Sequence, residues 1–579
     1  MRNALLVYPE FESSFWSFKF ALRFLGQKSS MPPLGLLTIA AMFPADYNLR
    51  LVDMNVRSLT DHDIAWADLV CTSTMIVQRR SHADVVARCK RIGKPVVAGG
   101  PHPTSYWEEI DDVDYLLLGE VEQTFALFLH DLESGTARHI TPAPERPAIT
   151  LTPPPRYDLV RVRDYASMLL QFSRGCPFDC EFCDITKLYG RIPRTKTNEQ
   201  MLAEFQIVYE LGYRGRLFLV DDNFIGNRRD ALRFLKAFAE WQRARQYPFN
   251  LLTEASMNLV DHEELVDAMV AAGFTSVFVG IETPTPEALI KTKKGQNVDT
   301  TDPEYSLHAV QMLHCKGLEV LGGFILGLDG DGPDAFDAHI QFIQAAKIAT
   351  AMEGMLTALK GTDLYHRLQR EGRLLGDTTG QNISTRLNFI PEMPPQTLVD
   401  GYKRVLNTIY DRGLEHYFRR CWDMLQSIDR SGRPVSAQTP LTVGQMLRFC
   451  VYTLGQLCSV EGPAYMRFLL RILLHKPALL REALAFGAKG HHLRKVTEHV
   501  LAVDAFQEEL TAELAKVTEH LSECMRYGRH AVSAYMTDTI RRVRSRYMAL
   551  HADFRHNATD ALDAFLSSLE EIAREHHPA

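Results

Sequence analysis

Ser173-Arg174-Gly175-Cys176-Pro177-Phe178-Asp179-Cys180-Glu181-Phe182-Cys183-Asp184 follows directly on the apolar run Met168-Leu169-Leu170-Gln171-Phe172. The run reads as a buried strand, and Gly175 and Pro177 break it into a loop. Cys176, Cys180 and Cys183 stand in C-x3-C-x2-C spacing on that loop. A compact loop can turn three thiolates toward one point, and thiolates hold iron–sulfur clusters. A four-iron cluster held by three cysteines keeps one iron open to another ligand. Structural zinc would ask for a fourth ligand, and no cysteine or histidine follows at suitable spacing. The plainest competing reading is three unrelated buried thiols.

The rest of the chain sets this loop in a large α/β protein. At 579 residues it exceeds one ordinary core, and about three domains are expected. With 46% hydrophobic and 23% charged residues the composition is that of a globular protein, and the net charge of -7 gives no general pull toward nucleic acid. No apolar run approaches a membrane span, and the first residues enter a strand pattern without a signal-peptide cleavage region. The cysteines outside the motif are scattered, which predicts reduced thiols in a cytosol rather than a disulfide framework.

Residues 1–145 alternate short apolar strands with amphipathic helices. Strands are predicted at Ala4–Tyr8, Asn48–Val52, Asp68–Ser73, Pro95–Ala98 and Val113–Leu118, the last taken as the final one. That alternation predicts a doubly wound parallel sheet. Such sheets bind ligands at the carboxyl ends of their strands, where Asp53, Ser73, Gly99, Gly100 and Gly119 fall. Residues 146–164 continue a proline-rich stretch that begins near Thr141, expected to be an extended linker. Alternation restarts over 165–394 with six strand candidates at βα-unit spacing, predicting a partial (β/α)6 barrel. Asp221, Asp222 and Asn223 end the second candidate, Glu254 lies on the third, Glu282 ends the fourth and Gly323 lies on the fifth. For the carboxylates and Asn223, helix capping is the plain alternative. Residues 395–579 read as helical. Within them Tyr465–Val496 carries seven cations against one acid, interleaved with apolar residues. Pro477 should split it into two short helices, which either pack into the core or lie on an anionic membrane surface.

The cysteine loop, with Phe182 before the third cysteine, resembles that of the radical S-adenosylmethionine (SAM) enzymes. The resemblance implies a [4Fe-4S] cluster whose open iron binds SAM, and reductive cleavage of SAM to methionine and a 5′-deoxyadenosyl radical. It further implies that Glu282, Asp222, Glu254 and Gly323 surround SAM, and that an electron donor such as flavodoxin or ferredoxin serves the cluster. Pro32-Pro33-Leu34-Gly35-Leu36 and Gly99-Gly100-Pro101-His102 are similar to the cobalamin-binding domain fused to many such enzymes. Asp53, Asn55, Ser73, Gly99, Gly100 and Gly119 are the cobalamin contacts that this implies. Asn55 stands where cobalamin-dependent mutases carry the histidine that ligates cobalt from below, and Ser58 stands in place of their glycine. His102 reads as a turn histidine in contact with solvent rather than as a cobalt ligand.

Taken together, the segments resemble the cobalamin-dependent subgroup that includes hopanoid C-2 methylases. Methylation of an unactivated carbon on a small-molecule or lipid substrate is the expected activity, in the cytoplasm and peripherally at the inner membrane face. Radical rearrangement, cyclisation or oxidation without methyl transfer is one alternative; a non-catalytic redox or cobalamin-sensing role is another.

Overall fold

The computed structural model describes residues 2–143, 145–434, 441–526 and 529–575, with side chains described except at 521–533, 573 and 575. Pro144 of the proline-rich stretch and residues 576–579 of the C-terminal segment lie outside them.

The first sheet contains β1 (Arg2–Tyr8), β2 (Tyr47–Asp53), β3 (Leu69–Ser73), β4 (Val96–Gly99), β5 (Tyr115–Leu118) and β6 (Ile140–Pro142). Every pair is parallel and the order is β2-β1-β3-β4-β5-β6. Side chains alternate between two apolar layers: Leu5 and Val7 join one, Ala4 and Cys71 the opposite one. Burial on both faces is why these strands read as unbroken apolar runs. The order reverses at β1, so Tyr8 and Ser73 flank the switch point at the carboxyl edge. β6 is a correction: β5 is not the last strand. Proline cannot donate to a ladder, but Pro142 ends an edge strand, where that loss is tolerated. Past it, the proline-rich stretch is not a free tether, since Tyr157 is fully buried and its hydroxyl donates to the Leu169 carbonyl at 2.7 Å.

The second sheet takes β7 (Ser167–Leu170), then, after the short strands β8 (Ser173–Arg174) and β9 (Arg194–Thr195), β10 (Arg216–Leu219), β11 (Asn250–Ala255), β12 (Phe274–Glu282), β13 (Glu319–Leu326) and β14 (Ala351–Met355). Its order is β7-β10-β11-β12-β13-β14, all parallel, and β7 does not pair with β14, so the barrel is open. Leu169, Phe218, Leu252 and Leu321 fill its interior together with Met31 and Leu34 from the N-terminal region. β8 and β9 form a small antiparallel pair that closes the cysteine loop.

The C-terminal region is helical, and none of its described helices is long and apolar enough to cross a membrane. Pro477 does end a helix, Gly462–His475. The expectation of two short helices fails beyond it, because Leu480–Arg526 is one helix of 47 residues, about 70 Å long at 1.5 Å per residue. Its first turns are core: His492, Leu493 and Val496 are fully buried, Lys489 pairs with Glu319 at 3.0 Å, and Arg494 donates to the Tyr410 carbonyl at 2.9 Å. The cations of Leu480–Val496 are therefore largely spent inside the molecule, and only the part before Pro477 keeps an open apolar face.

Candidate active site

The cysteine loop is folded by backbone rules before any cofactor is considered. Gly175 has φ +97°, and a Cβ there would sit 2.9 Å from the Gly190 carbonyl oxygen. Only glycine meets both demands. The Cys176 N–H donates to that same carbonyl at 3.1 Å. Glu181, between the second and third cysteines, anchors the loop outward through Arg367 at 2.7 Å, and its N–H donates to the Thr292 carbonyl.

The second strand's acids hold the loop from below. Asp221 accepts from the Phe172 N–H at 2.7 Å and the Ser173 hydroxyl at 3.0 Å; Asp222 accepts from the Gly175 N–H at 2.7 Å. Burial raises Asp221 to about 7 and Asp222 to about 6. It raises Glu254 to about 8, with Asp222 and Asp221 adding to the effect.

All three cysteines are free thiols. Burial holds Cys176 and Cys183 above their ordinary values, and each also feels the Cys180 sulfur. Two amides point at sulfur: Asn223 Nδ2 lies 3.8 Å from Cys176 Sγ, and Gln296 Nε2 lies 3.4 Å from Cys180 Sγ. Amide N–H groups toward sulfur suit a cluster-bound thiolate. Among the described residues no three His, Cys, Asp or Glu side chains converge on a single ion. An all-thiolate donor set with amide N–H groups on two of its sulfurs fits an iron–sulfur cluster.

Between the carboxyl ends of the two sheets opens a cleft of about 880 Å³. Asp222 and Glu254 line it from the barrel; Ser73, Gly99, Gly100 and Gly119 line it from the first sheet. Gly100 has φ +97°, and a Cβ there would lie 2.8 Å from Ser73 Oγ. That leaves bare backbone where a flat ligand can approach. The buried hydroxyls of Ser30 and Thr74, both on the cleft wall, have no hydrogen-bond partner among the described residues, which fits a ligand with polar substituents such as cobalamin.

The remaining expected residues do not line the cleft. Asp53 is buried and accepts from the Tyr165 hydroxyl at 3.0 Å and from Asn55. Asn55 accepts from the Phe11 N–H at 3.1 Å, which makes it a brace for the loop after β1. Glu282 sits at φ +67° and pairs with Lys294 at 2.7 Å. Lys294 also feels Cys180 and Cys183, so the pair stands beside the cysteine loop. Gly323 faces the barrel interior, where a Cβ would meet the Phe278 ring at 2.7 Å. His102 is not a solvent-facing turn residue: it lies in the short helix Pro101–Tyr106, 8% exposed, with its ring near His82 and Tyr106.

Four residues to which sequence reasoning assigned no role join the two sheets. Arg174, two residues before the first cysteine, pairs with Glu120 at 2.7 Å and Glu122 at 2.6 Å, both just past β5. Arg194 of β9 pairs with Glu120 at 2.7 Å. The only local signal was an acid directly after the Gly119 turn and an arginine directly before Gly175.

Comparison with known proteins agrees with this geometry. Residues 170–343 match the Radical SAM superfamily model, 27–129 the B12 binding domain model, and 362–504 a domain of unknown function. An uncharacterized methyltransferase of Synechocystis sp. is 45% identical over 71% of this chain and 76% of its own. The hopanoid C-2 methylase of Rhodopseudomonas palustris is 37% identical over 71% of this chain and 77% of its own. In fold, the chain is similar to the cobalamin-dependent SAM radical enzyme OxsB with aqua-cobalamin bound, at TM-score 0.56 and 14% identity, covering 98% of this chain and 84% of that one.

Proposed function

Since the chain belongs to the cobalamin-dependent radical SAM methyltransferases, enzymes that use a [4Fe-4S] cluster, SAM and cobalamin, we propose that it methylates an unactivated carbon of a hopanoid-type polycyclic lipid. The observation that carries this reading is the cleft walled by both sheets, with the cysteine loop at one side and the bare Gly99–Gly100 backbone at the other. Apolar side chains such as Trp16, Leu34, Met355 and Leu359 line much of it, as a polycyclic hydrocarbon requires. The 37% identity to a hopanoid C-2 methylase supports the same substrate class.

When bound, the cluster and SAM supply the radical that activates the substrate carbon, and cobalamin supplies the methyl group. The residues of this chain position and exclude. Cys176, Cys180 and Cys183 would hold the cluster, and Asp221, Asp222 and Gly175 would fix the loop that carries it. Asp222 and Glu254 would face SAM, while Ser73, Gly99, Gly100 and Gly119 would admit the corrin. Glu282 would act through Lys294, beside the loop. Arg174, Glu120 and Glu122 would keep the two half-sites at fixed separation, and the apolar wall would keep water from a reactive intermediate.

The test is anaerobic turnover of reconstituted enzyme with SAM, methylcobalamin, a reductant and a detergent-dispersed hopanoid. The expected products are 5′-deoxyadenosine and a hopanoid heavier by one methyl substitution, and both should vanish in Cys180→Ala. Deoxyadenosine formed with no methylated lipid from a panel of polycyclic lipids would refute the lipid methylation.

A further inference from the structure

Exposed apolar side chains are concentrated in one place. Of the twenty-two large apolar residues exposed among the described ones, twelve fall between Leu441 and Leu474. Ten of them lie on two helices, Val443–Leu457 and Gly462–His475, which are packed on one another; Leu441 stands just before the first and Val460 in the short turn between them. On the first, Val443, Leu447 and Leu454 follow one another at helical spacing and are 77%, 66% and 61% exposed. On the second, Leu470, Leu473 and Leu474 stand outward, while Tyr465, Phe468 and Ile472 are buried on the opposite face. A patch of this kind marks a surface that works against a partner.

Its charge says which partner. From Leu441 to Leu480 the sequence holds one acid, Glu461. That residue is buried and occupied by Gln456 and His491. The cations Arg467 and Arg471 project from the second helix, Lys476 stands at the turn that follows, and Arg481 opens the next helix beside Glu482, which is paired with Arg430. Among the described residues Arg471, Lys476 and Arg481 have no salt-bridge partner, and Arg467 pairs with Glu415 at the rim. A protein groove would bury the leucines but would need its own acids to match the cations. A bilayer of anionic lipid offers both terms over a flat area: an acyl boundary for the leucines and phosphates for the cations.

We propose that the hairpin Val443–His475 is a docking surface for an anionic lipid bilayer, with its leucines at the headgroup–acyl boundary and its cations among the phosphates. The hairpin also adjoins the cleft. Helix Lys19–Leu25 packs against it, with the Phe24 ring 5.6 Å from Phe449 and 5.3 Å from Tyr452. The turn just before that helix places Trp16 and Ser17 on the cleft wall. Docking rests on the exposed side chains alone; its use as a route for substrate rests on the lipid reading above.

The experiment is co-sedimentation of the full chain with vesicles of phosphatidylcholine containing phosphatidylglycerol, against phosphatidylcholine alone, at low and high salt. Wild type should bind the anionic vesicles at low salt and be released by salt. Replacing Arg467, Arg471, Lys476 and Arg481 together with Gln should weaken binding by about a hundredfold or more, at about 1 kcal/mol per charge. Leu447→Gln with Leu454→Gln, Leu470→Gln and Leu474→Gln should abolish it. Both variants should keep wild-type circular dichroism and cobalamin binding, since every replaced side chain is solvent-facing or unpacked. Wild type that ignores anionic vesicles at low salt overturns the proposal. So do variants that bind like wild type, or a leucine variant whose main effect is to turn a dimer into a monomer. Methylation of detergent-dispersed hopanoid separates the two claims: if it persists without vesicle binding, docking fails and the substrate reading stands. Vesicle binding without hopanoid methylation gives the reverse.

Discussion

Asp221 is buried, accepts two hydrogen bonds from the strand that leads into the cysteine loop, and is raised to about 7 from an ordinary 3.8. An acid whose folded value exceeds its unfolded one binds its proton more tightly when folded. Its contribution to stability is therefore present below 3.8 and is lost as pH rises through 7. Cluster-free protein should lose thermal stability across that window, and Asp221→Asn should flatten the loss; calorimetry from pH 4 to 8 that gives parallel profiles would remove Asp221 as the cause. At this scale the sequence was legible where the chemistry is local. The cysteine spacing and Gly175 lie within a few residues of one another, so their joint meaning can be read directly. Gln296, Lys294 and Arg367 reach the loop from more than a hundred residues away, and no pattern in the chain announces that. Gly323, expected close to SAM, also leaves room for the Phe278 ring, a contact that no local pattern announces.

Strands were the most legible elements, because both sheets are buried on two faces and each strand is a short apolar run between turn residues. The exceptions have physical causes. β6 carries a proline and pairs at an edge, and β8 and β9 have two residues each. Helix Val443–Leu457 lies in the stretch that reads as helical, but its exposed apolar face does not show in the sequence, because an apolar stripe reads as core until its surroundings are known. Arg174 belongs to this scale, since it ties β8 to the turn after β5. Arg174→Ala would leave Glu120 still facing Arg194 but strip Glu122 of its cation in a buried setting, at a cost of about 3 kcal/mol. Urea unfolding followed through bound cobalamin should show the midpoint fall, with Arg174→Lys intermediate because it restores charge without the two-pronged geometry. An unchanged midpoint in Arg174→Ala would mean that the two sheets are held together by other contacts.

Across the molecule the two sheets meet at their carboxyl ends over a cleft that, among the described residues, no histidine lines. Asn55, in place of the expected ligand, is engaged with the loop after β1. Cobalt(II) cobalamin bound to the full chain should therefore show an electron paramagnetic resonance spectrum without superhyperfine splitting from a protein imidazole. Splitting that disappears in His102→Gln would reverse that conclusion. The distribution of charge has one more consequence. The chain as a whole is at -7, while the hairpin and the turn after it are basic, so the remainder is more acidic than the total suggests. Toward a negative surface such a molecule is an electric dipole: most of its body is turned away while one face is drawn in. It would land in a single orientation, chosen at a distance of about one Debye length, roughly 8 Å in physiological salt, before any leucine touches lipid.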